Sequence, residues 1–102
     1  MINLDTLLRA YEADVSNTHG AGRFEALNML TNRDILEEHR NKLTTVQAAR
    51  LLFADEKLMA NSEQVIAECG GEVEFMKLRQ HNSTPSAWWW FLEQIQLEQF
   101  SQ

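Results

Sequence analysis

Four large aromatic residues follow one another in TPSAWWWF, residues 84–91 of this 102-residue chain. In an α-helix successive residues are rotated by about 100°, so rings at four consecutive positions point to nearly every side of the axis. One core face is too narrow to hold all of them. We therefore expect a C-terminal helix, beginning at Thr84 and Pro85 and running to about Phe100, that either passes through the domain or is shared with a partner.

The expected helix has a core side and flanks that mix aromatic with polar side chains. At helical spacing the inward-facing residues would be Trp88, Phe91, Leu92 and Ile95. Mixed flanks of this kind are typical of protein interfaces, where tryptophan is enriched. The sequence therefore predicts four partner-binding residues, which are Trp89, Trp90, Leu97 and Phe100.

The composition is that of a single helical domain over residues 1–102. Hydrophobic residues make up 44% of the chain and charged residues 24%, which is ordinary for a globular protein. One proline and four glycines leave little room for the frequent tight turns of an all-β protein. We predict an all-α fold, a compact bundle of four to six helices with the tryptophan-rich helix at its centre or interface.

Periodicity and capping residues place the helices in the first half of the chain. Asn3 can cap an amphipathic helix over residues 4–16, and a glycine-containing loop follows over 17–22. A short helix over 24–30 should then end, with a fresh start running over about 31–41.

The second half begins with a helix capped by Thr44. Its pattern continues to a stop at Gly70–Gly71, which predicts either one long helix or a closely spaced pair broken at Asn61–Ser62. Residues 72–80 fit both a helical stripe and an alternating strand. Because no second strand is evident, a helix is favoured there.

Charge and hydropathy restrict the partners and the compartment. The net charge is −6 and the nine basic residues are scattered, which argues against a surface that neutralises nucleic-acid phosphates. The longest apolar run is far below the roughly 20 residues that span a bilayer, and the N-terminus has no basic signal region. The lone Cys69 agrees with a reducing compartment. We expect a cytoplasmic protein that is not bound to a membrane.

The sequence contains no phosphate-binding loop, no pair of metal-ligating histidines and no activated cysteine. Gly70–Gly71 lacks the Lys and Ser or Thr of a phosphate loop, and no two histidines are four residues apart on a helix. Cys69 follows a helix end, where the negative macrodipole disfavours a reactive thiolate. We therefore expect a non-catalytic acidic protein of regulatory, adaptor or inhibitor type. It would bind another protein or itself as a homodimer.

One short segment suggests a DNA-binding alternative. Residues 43–52, LTTVQAARLL, resemble the opening helix of the helix-turn-helix in excisionase-like and MerR-like proteins. The resemblance implies a DNA-binding regulator that uses residues 45–59, with Arg50 and Lys57 as its basic groups. The pair Asp55-Glu56 stands where a second helix would meet phosphates, and its charge would oppose that contact.

A second alternative is catalytic. Arg33 and His39 are separated by five residues and resemble the Arg-x(4–6)-His motif of the HEPN helical ribonucleases. The resemblance implies that the imidazole moves a proton from a ribose 2′-hydroxyl while the guanidinium steadies the phosphate. A solvated helix face is the alternative interpretation of the same residues.

Overall fold

The chain folds as an all-α bundle. The computed structural model describes residues 2–82 and 87–95, and no strand occurs within them. The α-helices of this part are α1 (Leu4–Ser16), α2 (Gly22–Glu38), α3 (Thr45–Ala60), α4 (Ser62–Glu68) and α5 (Glu72–Asn82). Single 3-10 turns lie at Arg40–Lys42 and Trp88–Trp90, and residues 92–95 are again helical. The predicted fold class is confirmed.

Helix α1 has the bounds that its sequence predicts. The Asn3 side chain accepts a hydrogen bond from the backbone N–H of Thr6 at 3.1 Å, which satisfies one of the unpaired donors at the helix start. Leu8, Tyr11 and Val15 are fully buried at spacings of three and four residues. This side of α1 packs against both α2 and α3.

Helix α2 is one continuous helix, so the break predicted near residue 31 is wrong. Its buried side chains Met29, Leu30, Arg33 and Leu36 recur at helical spacing across that point. Packing of this stripe keeps the helix intact, although Thr31 and its neighbour are weak helix formers.

Helices α3 and α4 are the closely spaced pair that the sequence predicts as the alternative to one long helix. A capping box starts α3, because the Thr44 hydroxyl accepts from the Gln47 backbone and the Gln47 side chain accepts from the Thr44 backbone. At the break, Asn61 donates a side-chain hydrogen bond to the backbone carbonyl of Val15 at 2.9 Å. Gly70 and Gly71 then end the unit with positive φ angles of 101° and 103°.

Residues 72–80, which the sequence left open between helix and strand, lie within α5. Phe75 of this helix is fully buried and stacks on Trp90, with 6.4 Å between ring centroids. The Trp88–Trp90 turn thereby packs between α5 and α2.

The core runs through the centre of the bundle and takes side chains from every α-helix. Its larger members are Leu8, Tyr11, Val15, Met29, Leu30, Leu36, Leu51, Leu58, Val65, Ile66, Phe75, Trp89, Trp90 and Leu92. Among the helices of residues 2–82 and 87–95, none combines the length and hydropathy needed to cross a bilayer.

Candidate functional site

The tryptophan segment has a different backbone from the single helix that the sequence predicts. Trp88–Trp90 form a 3-10 turn, Phe91 leaves it with φ −124° and ψ 33°, and the helix resumes at residue 92. A 3-10 turn rotates about 120° per residue instead of 100°, so neighbouring side chains take different directions from those of an α-helix.

One carboxylate on α2 holds the turn. The indole N–H of Trp89 donates to Asp34 Oδ1 at 2.6 Å, and that of Trp90 donates to the same oxygen at 2.9 Å. The two rings are 2% and 0% exposed, whereas Trp88 and Phe91 are only half-buried. A buried indole N–H needs an acceptor, and here a single side chain serves two.

The predicted inward side of this segment is therefore only partly right: Leu92 is fully buried as predicted, while Trp88 and Phe91 are half-buried. Trp89 and Trp90, expected on partner-facing flanks, are enclosed by the chain's own α2 and α5. They present almost no ring surface to a second molecule. The other two predicted partner-binding residues, Leu97 and Phe100, lie outside the described part of the chain.

A buried ion pair lies next to the tryptophans. Arg33 is completely buried and donates from Nε and Nη2 to the two carboxylate oxygens of Asp55, at 2.9 and 3.0 Å. Tyr11 donates its hydroxyl to the same carboxylate at 2.6 Å, and the Arg33 guanidinium stands 4.2 Å from the centre of the Trp89 ring. Burial, followed by the Asp55 charge, raises the pKa of Tyr11 far above its ordinary range.

This environment gives Arg33 a structural role. A ribonuclease arrangement needs the guanidinium and the imidazole on one accessible surface, but the Arg33 donors are used by Asp55 and by Glu37 at 3.1 Å. His39 lies at the end of α2, half-buried. The geometry offers no support for the ribonuclease interpretation.

The helix-turn-helix alternative requires a turn within residues 45–59, but α3 runs through the whole segment without one. Inward-facing Leu51, Asp55 and Leu58 keep one continuous stripe against the bundle. Arg50, the predicted DNA contact, donates to Glu12 at 2.5 Å and to Asp5 at 2.9 Å. Its charge is therefore already paired within the chain.

The opposite side of α3 carries a group of exposed apolar side chains. Val46, Leu52 and Phe53 are 69%, 61% and 63% exposed, and the exposed Ala49 lies between them on the helix. We call Val46, Ala49, Leu52 and Phe53 the α3 face. Lys57 lies at its C-terminal end, with its ammonium group 5.3 Å from the centre of the Phe53 ring.

The sequence contains a signal for this face, which the predicted set of partner-binding residues does not include. Between residues 46 and 53, apolar side chains occur on both sides of the helix, although only one side can face a small core. The prediction assigned the exposed aromatic surface to the tryptophans instead.

Neither metal-ligating groups nor similarity to a known protein indicates a function for this chain. Within residues 2–82 and 87–95, no group of three or more His, Cys, Asp or Glu side chains could hold a metal ion. No protein-family model, curated protein or solved structure matches this chain. The described part of the chain is an all-α bundle with a buried polar centre and an exposed apolar face on α3.

Proposed function

We propose that this chain is a non-catalytic helical protein that acts through protein–protein contact, and that it pairs with a second copy through the α3 face. The supporting observation is the exposure of more than 60% for each of three large apolar side chains on one helix. Contiguous apolar surface on a small soluble domain is usually used for binding. The role belongs to the regulatory or adaptor type.

Two features favour a second copy as the occupant. Ala49 is one helical turn from Phe53, so a two-fold antiparallel pairing of α3 places Phe53 of each copy over Ala49 of the other. The four side chains of the face carry no charge. Two molecules of net charge −6 repel each other, and an uncharged contact surface keeps that repulsion small.

The size of the face predicts a weak dimer. Full burial of a Val, Leu or Phe side chain contributes about 1.5–3 kcal/mol, and the large side chains here are roughly two-thirds exposed. Three such side chains from each copy would stabilise a dimer by about 6–12 kcal/mol, while association itself costs about 4–15 kcal/mol. At most about 8 kcal/mol therefore remains, which limits the dissociation constant to about 1 µM or weaker, and because the two ranges overlap we expect values well above that limit, from about 10 µM to 1 mM.

Sedimentation velocity between about 10 µM and 1 mM tests the proposal. Wild type should shift from monomer to dimer, and Phe53→Asp should remain monomeric with unchanged far-UV circular dichroism. Phe24→Asp is the matched control, because Phe24 is 87% exposed and lies on α2, away from the α3 face. A wild type that stays monomeric at the highest concentration, or a control that also dissociates the dimer, contradicts the proposal.

We also propose a cytoplasmic location. The support is the chemistry of Cys69, the one cysteine, which is buried as a free thiol. Burial raises its pKa to about 11, so the thiol resists ionisation and has no disulfide partner in the chain.

A further inference from the structure

A cavity of about 250 Å³ lies on the side of the bundle where α1, α2 and α4 meet. Its inner wall is apolar, since Met29 and Val65 line it and are 2% and 1% exposed. Three residues of the segment 17–21, which we call the α1–α2 loop, form another wall. The position of this loop therefore determines how much of the apolar wall solvent can reach.

The loop leads into α2, which lacks a capping side chain of its own. Ala21 stands at the N-cap position and makes no side-chain hydrogen bond, so the first N–H groups of α2 need acceptors from elsewhere. Glu68, the last residue of α4, supplies an acceptor: its carboxylate accepts from the backbone N–H groups of Gly20 at 2.5 Å and Gly22 at 3.1 Å. A negative charge at this end of α2 also interacts favourably with the helix macrodipole. Glu68 thereby joins the loop to a helix that is distant in sequence.

Two glycines give the loop freedom to move when these hydrogen bonds break. Gly20 and Gly22 have φ angles of 75° and 86°, which an L side chain rarely adopts, and a Cβ atom at either position would meet nothing within 4 Å. Among the described residues, the other hydrogen bonds of the loop are local: Asn17 bonds to the end of α1, and the N–H of Ala21 donates to the carbonyl of Thr18 at 3.5 Å. The hydrogen bonds that tie the loop to α4 are thus those of Glu68.

The strength of this connection depends on the charge of Glu68. The hydrogen bonds from Gly20 and Gly22 lower its pKa below the ordinary value of 4.5, because the ionised carboxylate is the better acceptor. The other charged or titratable side chains around it are Asp14 of α1, His19 of the loop, and Arg23 and Glu25 at the start of α2. Protonated His19 favours the ionised carboxylate. Because the folded-state pKa is lowered, the stabilisation is present above pH 4.5 and is lost as the pH falls through the lowered value.

We propose that the α1–α2 loop is a lid over this cavity, and that the Glu68 carboxylate holds the lid closed at neutral pH. When the carboxylate is lost, the loop turns about Gly20 and Gly22, and solvent reaches Met29 and Val65. The bundle should keep its packing, because none of the described core side chains comes from the loop.

A pH titration of the wild-type backbone amides by NMR tests the hydrogen bonds without any substitution. The N–H signals of Gly20 and Gly22 should shift together through one transition with its midpoint below pH 4.5. Below that midpoint their hydrogen exchange, corrected for its intrinsic pH dependence, should become about tenfold faster. Two separate transitions, or a midpoint at or above 4.5, would contradict the proposal.

Glu68→Ala tests the lid at pH 7. Hydrogen exchange of the Gly20 and Gly22 amides should again become about tenfold faster, and a soluble nitroxide should broaden the Met29 methyl signal severalfold more than in wild type. The Met76 methyl signal is the internal reference and should not change, because Met76 is 43% exposed on α5. Glu63→Ala is the matched control, because Glu63 is exposed on α4 and its replacement changes the net charge equally.

Three results would overturn the proposal. Unchanged exchange in a folded Glu68→Ala variant would show that the carboxylate does not hold the loop. Faster exchange with an unchanged Met29 signal would show that the loop is not a lid, and equal effects in Glu63→Ala would show a general effect of charge. Far-UV circular dichroism should confirm that each variant is folded, and if Glu68→Ala does not fold, the wild-type titration decides alone.

Discussion

Replacement of Asp55 by alanine should remove a buried electrostatic contribution to the stability of the fold. Asp55 is 5% exposed and accepts three hydrogen bonds, two from Arg33 and one from Tyr11. Loss of one partner of a buried ion pair costs about 3–5 kcal/mol because a charge stays buried without compensation. The Tyr11 hydroxyl also loses its acceptor, at about 1–3 kcal/mol, and the two costs overlap. We expect Asp55→Ala to lower the free energy of unfolding by about 4–6 kcal/mol.

Urea unfolding followed by far-UV circular dichroism measures this loss. Tryptophan fluorescence reports it independently, because the Arg33 guanidinium stands 4.2 Å from the centre of the Trp89 ring. Small domains have total stabilities of about 5–15 kcal/mol, so Asp55→Ala should be partly or fully unfolded without denaturant. Glu56→Ala changes the exposed neighbouring residue and should stay within about 0.5 kcal/mol of wild type.

Two outcomes would refute this reasoning. The first is an Asp55→Ala variant within about 1 kcal/mol of wild type, which would mean that Arg33 finds water or another acceptor. The second concerns Arg33→Met/Asp55→Leu, in which both charges are replaced by apolar side chains. This double variant should recover most of the lost stability, since apolar replacement of a buried pair is often neutral or better. A double variant as unstable as Asp55→Ala would contradict the desolvation argument.

Three further predictions test other parts of the structure. Asp34→Ala should lower the free energy of unfolding by about 2–5 kcal/mol, with red-shifted fluorescence, because two buried indole N–H groups lose their acceptor; an unshifted emission spectrum would count against it. Asp14→Asn should raise the melting temperature at pH 7, because the raised pKa of Asp14 means that its ionised form disfavours folding. That gain should vanish as the pH falls below 3.8, the ordinary pKa, where Asp14 is protonated in both states; a gain that persists there would have another cause. Cys69, with its pKa raised to about 11, should react with Ellman's reagent at pH 8 only when urea unfolds the chain, and fast reaction of the folded protein would contradict its burial.

The local features of the fold could be predicted because their signals lie within a few residues. Asn3 caps α1, Thr44 and Gln47 form a capping box, and Gly70–Gly71 stop α4 with positive φ. Each of these depends on hydrogen bonds or dihedral angles that span at most one helical turn. The bounds of α1 and the break between α3 and α4 were therefore correct.

The polar centre could not be predicted because its partners are far apart in sequence. Arg33 and Asp55 are separated by 22 residues, and Trp89 is separated from Asp34 by 55. Arg33 stands among the apolar residues of the buried side of α2, where a charged residue is not expected unless a buried partner for it is known. The orientation of Trp89 and Trp90 depended on a further local detail, the change from an α-helix to a 3-10 turn.

The polar centre also bears on the proposed dimer, because it fixes the rotation of α3. This helix turns a carboxylate, Asp55, into the core and two large apolar side chains, Leu52 and Phe53, towards solvent. Hydrophobic burial alone would favour a rotation that encloses Phe53. That rotation would carry Asp55 towards solvent and leave the Arg33 charge buried without its partner, which costs more than one exposed ring.

The Arg33→Met/Asp55→Leu variant therefore tests more than stability. In this variant the polar contact between α2 and α3 at positions 33 and 55 is gone. Helix α3 can then rotate, and the exposure of Leu52 and Phe53 should fall. We expect this variant to stay helical and to dimerise more weakly than wild type in sedimentation velocity. Undiminished dimerisation would mean that the packing of Leu51 and Leu58 and the Arg50 ion pairs with α1 already set the rotation, and that the buried charges contribute nothing to the placement of the α3 face.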